Sequence, residues 1–157
     1  MITTLTPSPS IDFDYGLSTL KLGGVNRALS FGLHAGGKGV NVSRVLTLMK
    51  VNNIALVPMA KVNGDFFLNA AESESLRLEI LPIGSPLRFN VSLVHEGITT
   101  KVNAESSPWT STEAKRIAGR FKLRARRSEF GVIGGSLPAG LDPAWLAKLV
   151  SDNVNRT

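Results

Sequence analysis

The sequence predicts an α/β protein: a largely parallel sheet with helices on both faces and a small antiparallel flap projecting from it. Three observations carry this. Short apolar or β-branched runs alternate with segments of helical period. The run at 53–59 is apolar almost without interruption, as a strand covered on both faces must be. Two stretches, 13–33 and 88–103, alternate around Gly23-Gly24 and Glu96-Gly97 in the manner of hairpins. With 157 residues, 43% of them apolar, the chain is long enough for one domain with a real core.

Taken in order, residues 1–6 read as a short β-branched strand, ended by Pro7 and Pro9, which cannot sit inside a ladder. Asp12 then falls just beyond a strand end, where open α/β sheets gather ligand-binding residues. The excursion at 13–33 has arms at 15–22 and 25–33. A helix over 36–50 follows, with Val42, Val45, Leu46 and Met49 at i, i+3, i+4 and i+7 as its apolar face. The strand at 53–59, a helix at 64–76, a strand at 78–81 and a turn at 82–86 lead into the second hairpin. Its arms place Arg88 and Asn90 on one face, and Lys101 and Asn103 on one face of the partner arm. The helix at 114–127 buries Ala114, Ile117, Ala118 and Phe121. A strand at 129–133 runs into Gly134-Gly135-Ser136, a second place to seat a ligand. The last helix spans 143–150, and the chain closes in a polar stretch, 151–157.

The most informative stretch is Ala-Gly-Gly-Lys-Gly-Val-Asn-Val-Ser-Arg at 35–44. Glycines around a lysine at a strand-to-helix junction allow close approach of the backbone and leave the first helical amides unpaired, an arrangement suited to an anion or a ring of hydroxyls. Asn41, one step inside, can donate and accept at once. The same letters nearly spell a nucleotide-binding P-loop, with Gly32, Gly37 and Lys38 in register. Gly39, however, stands where a Ser or Thr should hold magnesium, which excludes that reading.

The net charge of +6 is local. Lys115, Arg116, Arg120, Lys122, Arg124, Arg126 and Arg127 hold seven positive charges with no acid between them, on the outer side of an amphipathic helix. No aromatics interleave for base stacking, so a solvated helix face is preferred to a nucleic-acid partner. No apolar run has membrane-spanning length, and the chain begins without the charged and apolar regions of a signal peptide. The absence of cysteine excludes disulfides and thiolate chemistry and fits a cytoplasmic setting. His34 and His95 are too few and too scattered for a metal site.

These motifs together resemble the PfkB, or ribokinase-like, carbohydrate kinases, and most of all their 1-phosphofructokinase branch. The resemblance runs through Thr-Pro-Ser-Pro-Ser-Ile-Asp (6–12), Gly-Gly-Lys-Gly-Val-Asn-Val-Ser-Arg (36–44), Arg88-Phe89-Asn90, Thr-Thr-Lys-Val-Asn (99–103) and Gly-Ser-Leu-Pro-Ala-Gly (135–140). It implies a ribokinase-like, Rossmann-like sheet with a β-lid, and a truncated domain over 1–157 with lid pieces at about 13–33 and 87–104. It also implies a sugar-phosphate site of Asp12, Gly36, Gly37, Lys38, Asn41, Arg88, Asn90, Lys101 and Asn103. In this resemblance Asp12 holds a sugar hydroxyl, the glycine amides and Asn41 hold others, and Arg88 holds the existing phosphate.

The lid closes on substrate and mediates dimerisation in that family, so the implied partners are a sugar phosphate, a second copy through the lid, or a complementary C-terminal half. ATP and Mg2+ are implied for the full-length family. The sequence departs from its pattern at Ser8, Phe89, 60–62 and 104–106, and it contains no Gly-Ala-Gly-Asp motif with the catalytic aspartate. The expectation is the substrate-binding N-terminal half of a kinase converting fructose 1-phosphate to fructose 1,6-bisphosphate, inactive alone. The alternatives are a non-catalytic binding or assembly module and a degenerate gene product.

Overall fold

The computed structural model describes residues 1–154. Two four-stranded sheets organise the chain. The first contains β1 (Ile2–Leu5), β4 (Asn53–Met59), β5 (Leu78–Pro82) and β8 (Phe130–Ile133) in the order β5-β4-β1-β8, every pair parallel. The second contains β2 (Ser10–Gly16), β3 (Ser30–Gly36), β6 (Arg88–His95) and β7 (Ile98–Asn103) in the order β3-β2-β6-β7. Four helices complete the fold: α1 (Lys38–Leu48), α2 (Gly64–Ser73), α3 (Ser111–Ala125) and α4 (Pro143–Val154).

Both faces of the parallel sheet are covered, which is why β4 is buried along its whole length. Its alternation feeds two cores. Ala55, Val57 and Met59 pack with Val40 of α1 and with Phe67, Ala70 and Ala71 of α2. Ile54 and Leu56 pack on the other side with Leu5, Ile117 and Phe121 of α3, and Leu149 of α4. The first cluster extends through Ile11 and Ala35 into the second sheet, so α2 fastens the lid to the body.

The second sheet is mixed rather than antiparallel. Its two hairpins, β2–β3 and β6–β7, are each antiparallel, but they join through a parallel β2–β6 pair running from Ser10↔Arg88 to Gly16↔Val94. The turn at Glu96-Gly97 has φ of 48° and 77°, the left-handed pair that a tight hairpin of this twist requires.

Several expected boundaries shift. Pairing resumes at Ser10, directly after Pro9, so Asp12 lies inside β2 and not in a turn. The first hairpin's arms are Ser10–Gly16 and Ser30–Gly36 rather than 15–22 and 25–33, so the first lies earlier and the second later than expected, with a long connection between Gly16 and Ser30. The apolar face expected for α1 is also wrong. Val45 and Met49 are more than half exposed, and the buried residues are Gly39, Val40 and Ser43. This small, partly polar face is chosen because β1 presents threonines. Ser43 Oγ bonds Thr4 Oγ1 at 2.9 Å, and the Val40 amide donates to Thr6 Oγ1 at 2.8 Å. One of the helical amides expected to be free is therefore occupied.

In α3 the expected buried face is the observed one. Its basic side is partly paired by acids from neighbouring elements: Arg120 and Arg124 bridge Glu79 of β5, and Lys122 bridges Asp152 of α4. The polar end expected at 151–157 is helical to Val154, and 155–157 lie outside the described residues. Among the described residues, no helix is long and apolar enough to cross a membrane.

Candidate functional site

Where the lid sheet meets the parallel sheet, a hollow of about 350 Å³ is lined by Asp12, Gly37, Lys38, Asn41, Arg88, Asn90, Lys101 and Asn103, joined by Ser8, Ser10, Ser92, Gly135 and Ser136. Register explains the convergence. In β2, β6 and β7, Asp12 lies opposite Asn90, Asn90 opposite Asn103, and Ser92 opposite Lys101, so these side chains project from one face of the lid. The floor comes from the first turn of α1, against which the Gly134-Gly135 turn packs.

The glycines of the central motif do three different jobs. Gly36 does not itself line the hollow but pairs with Ser10 on the same sheet face, where a Cβ would meet Asp12 Oδ2 and Ser10 Oγ at 2.4 Å. Gly37 caps α1 with φ of 125°, a conformation L side chains rarely adopt, and a Cβ would also stand 2.4 Å from Thr6 Cγ2. Gly39 lets α1 settle on β1, since its Cβ would fall 2.5 Å from Thr6 Oγ1.

Asp12 is held on one side only. Its Oδ1 accepts from Ser10 Oγ at 2.7 Å and from Asn90 Nδ2 at 2.9 Å, and among the described residues Oδ2 has no hydrogen-bond partner. Asn90 is thus first an anchor for the carboxylate, and its own Oδ1 is buried without a partner. Arg88 Nη1 donates to the Ala104 carbonyl at 3.1 Å, while its Nε is buried and unpaired. Ser8 Oγ is in the same condition. Buried polar atoms are paired in the great majority of cases, so three orphans carried by residues that line this hollow point to a polar ligand.

The charge balance gives that ligand a sign. Lys38, Arg88 and Lys101 face one carboxylate, Asp12, and none of the three forms an ion pair among the described residues. The N-terminus of α1 adds its partial positive charge. The arrangement suits a molecule that carries hydroxyls at one end and an anion at the other.

The site thus gathers all the sequence-predicted residues except Gly36, which lies beside the wall and, by lacking a Cβ, leaves room for Asp12 and Ser10. Ser10 and Ser92 escape the sequence reading. Ser10 stands two residues before Asp12 and so shares its face, a relation legible only if 10–16 is read as a strand.

No family model matches the chain. Among solved structures, a Staphylococcus aureus protein assigned as a phosphofructokinase superposes with a TM-score of 0.79 at 30% identity, over 98% of this chain and 50% of its own. Phosphofructokinase-2 from Escherichia coli, in complex with fructose-6-phosphate, gives 0.80 at 22% identity, over 97% and 50%. A Thermotoga maritima protein assigned as a 1-phosphofructokinase gives 0.87 at 21% identity, over 96% and 49%. The fold is ribokinase-like, and the chain spans about half the length of these structures.

Proposed function

We propose that this chain is the N-terminal, sugar-phosphate-binding half of an ATP-dependent, 1-phosphofructokinase-like kinase, with fructose 1-phosphate as substrate and fructose 1,6-bisphosphate as product, working in the cytoplasm. The observation that carries this is the trio of buried, unpartnered atoms, Ser8 Oγ, Arg88 Nε and Asn90 Oδ1, on a hollow with excess positive charge. Similarity over half the length of phosphofructokinases supports it.

In this reading Asp12 Oδ2 and Asn90 Oδ1 accept from sugar hydroxyls, while Arg88, Lys38 and Lys101 oppose the phosphate by charge-assisted bonds. The lid, anchored through α2, closes over the sugar and excludes water. ATP and Mg2+ belong to the full-length enzyme. Among the described residues no group of three or more His, Cys, Asp or Glu side chains is placed to hold a metal ion.

Calorimetric titration of the purified chain tests the proposal. Fructose 1-phosphate is expected to bind more tightly than fructose or inorganic phosphate alone, and ATP turnover is expected to be absent. Equal, negligible heats for all three ligands overturn the binding role, and robust turnover overturns the assignment of the catalytic groups to another half.

A second reading, an assembly module completed by a separate C-terminal half, is favoured by the outer edge of β8. That edge pairs with no strand among the described residues and adjoins a cleft lined by Phe121, Ile133, Leu146 and Leu149. Adding a purified C-terminal half of a phosphofructokinase should restore fructose 1-phosphate-dependent ADP release. No gain in activity and no co-sedimentation rule this reading out.

A further inference from the structure

Arg44 does not line the hollow, yet each nitrogen of its guanidinium is hydrogen-bonded one helical turn behind it. Nε donates to Glu74 Oε2 at 2.8 Å, Nη2 donates to the Ala35 carbonyl at 2.7 Å, and Nη1 donates to Asn41 Oδ1. The three acceptors belong to the C-terminal end of α2, to β3 and to α1, so a single side chain ties the lid, its anchoring helix and the floor of the hollow. The pair with Glu74 is mostly shielded from solvent, with side-chain exposures of 26% and 22%. Glu74 is itself hemmed in by His34, whose Nδ1 lies 3.8 Å from Oε1.

Chemistry fixes the consequence for Asn41. A guanidinium has only donors, so the atom that meets it must be the carboxamide oxygen. The NH2 group is then left for the hollow that Asn41 lines. We propose that Arg44 is a positioning residue that locks the Asn41 carboxamide with its oxygen turned to the guanidinium, so that Asn41 meets the ligand through its NH2 group, as a donor. This rests on the sugar-phosphate reading and sharpens it. Acceptors, Asp12 Oδ2 and Asn90 Oδ1, stand on the lid side and a fixed donor stands on the α1 side. The preferred ligand therefore offers a hydroxyl hydrogen to the lid and a bare oxygen lone pair to the helix, as neighbouring oxygens of a polyol phosphate do.

Two measurements on the full chain test this. Side-chain NH2 signals of Asn41 in 15N relaxation need no ligand: they are expected to be rigid in the parent and mobile in R44M, and an equally rigid amide in R44M overturns the proposal. Fructose 1-phosphate affinity is then measured in the parent, R44M, N41A and the double variant, with urea midpoints recorded alongside. R44M is expected to weaken binding about tenfold, the worth of one well-made polar contact, in the parent but by less than about twofold in N41A. Equal weakening in both backgrounds means that Arg44 acts by holding the fold, and the proposal fails. A parent that binds no sugar phosphate refutes the functional reading instead, and the relaxation result still decides the role of Arg44.

Discussion

Gly36→Ala is the sharpest probe of how the hollow is built. The added methyl would stand 2.4 Å from Asp12 Oδ2, 2.4 Å from Ser10 Oγ and 2.5 Å from Asp12 Cγ, all under the 3.0 Å that real Cβ contacts essentially never breach. Restoring ordinary contact takes movement of about 1 Å, which a lone surface carboxylate could make freely. Asp12 cannot, because Ser10 at 2.7 Å and Asn90 at 2.9 Å hold its Oδ1.

Moving the carboxylate sacrifices at least one bond to an ionised acceptor, about 1.5–3 kcal/mol, and overpacking of this kind costs typically about 1–3 kcal/mol. The two are alternative routes of relief rather than additive costs, so the expected loss is about 2 kcal/mol. Urea titration reads it as a lower midpoint at unchanged slope. Binding of fructose 1-phosphate should weaken at least about tenfold as the acceptor is displaced. Gly97→Ala is the control: it sits at φ of 77° with nothing within 4 Å, so it should cost backbone strain and leave binding unaltered. In the D12A background, G36A should cost less than in the parent, since the carboxylate is gone and the Ser10 hydroxyl is free to turn. A G36A variant with parental midpoint and affinity, or with the same cost in both backgrounds, refutes the account of Gly36 as the space beside Asp12.

Two further outcomes follow from the packing and the charges. Phe67 is fully buried where α2 joins the body to the lid, so F67A should lower stability by about 3–5 kcal/mol in a urea titration; a loss below about 1 kcal/mol would mean that α2 is not the fastening. For Glu79, burial disfavours the charged carboxylate and is the largest single influence, but the hydrogen bonds and charges of Arg120 and Arg124 together outweigh it and hold the group below its ordinary 4.5. A carboxyl lowered by folding stabilises the native state above its unfolded value. Its contribution is therefore intact at neutral pH, declines as pH drops below about 4.5 and is gone once pH passes the native value. The E79Q variant should thus be less stable than the parent at pH 7 and converge toward it in acid; a constant gap across pH 3–7 refutes the pairing.

What could be read from the letters depended on whether a residue's neighbours were local. The buried face of α3 follows from spacing alone because Ala114, Ile117 and Phe121 meet an apolar surface. The face of α1 could not be read in the same way. Its partner is a strand of threonines, and Thr4 and Thr6 select Ser43 and the Val40 amide over the larger apolar side of the helix. The second hairpin is legible down to its turn, because alternation and Glu96-Gly97 act over a few residues. The parallel β2–β6 seam is not, because nothing within either hairpin specifies that Asp12 will lie beside Asn90, 78 positions away. Convergence of the candidate site residues was therefore inferable only through resemblance, while the reason for Gly36 needed coordinates.

The seam also explains why the acidic group of the hollow is left, among the described residues, without an ion pair beside so many cations. Had Asp12 been placed in a turn, any of Lys38, Arg88 or Lys101 could have closed on it, and the hollow would have satisfied itself. Inside β2 its Oδ1 is instead taken by two neutral donors of the same sheet face, Ser10 and Asn90. Arg88 is drawn the other way, by the Ala104 carbonyl. Neutral anchors hold the carboxylate in place without neutralising it, and a carbonyl restrains the guanidinium without consuming its charge. Both charges are left for something that enters from outside. The lid sheet supplies every one of these restraints except Ala104, which directly follows β7, so the polarity of the hollow depends on the register of β2 against β6.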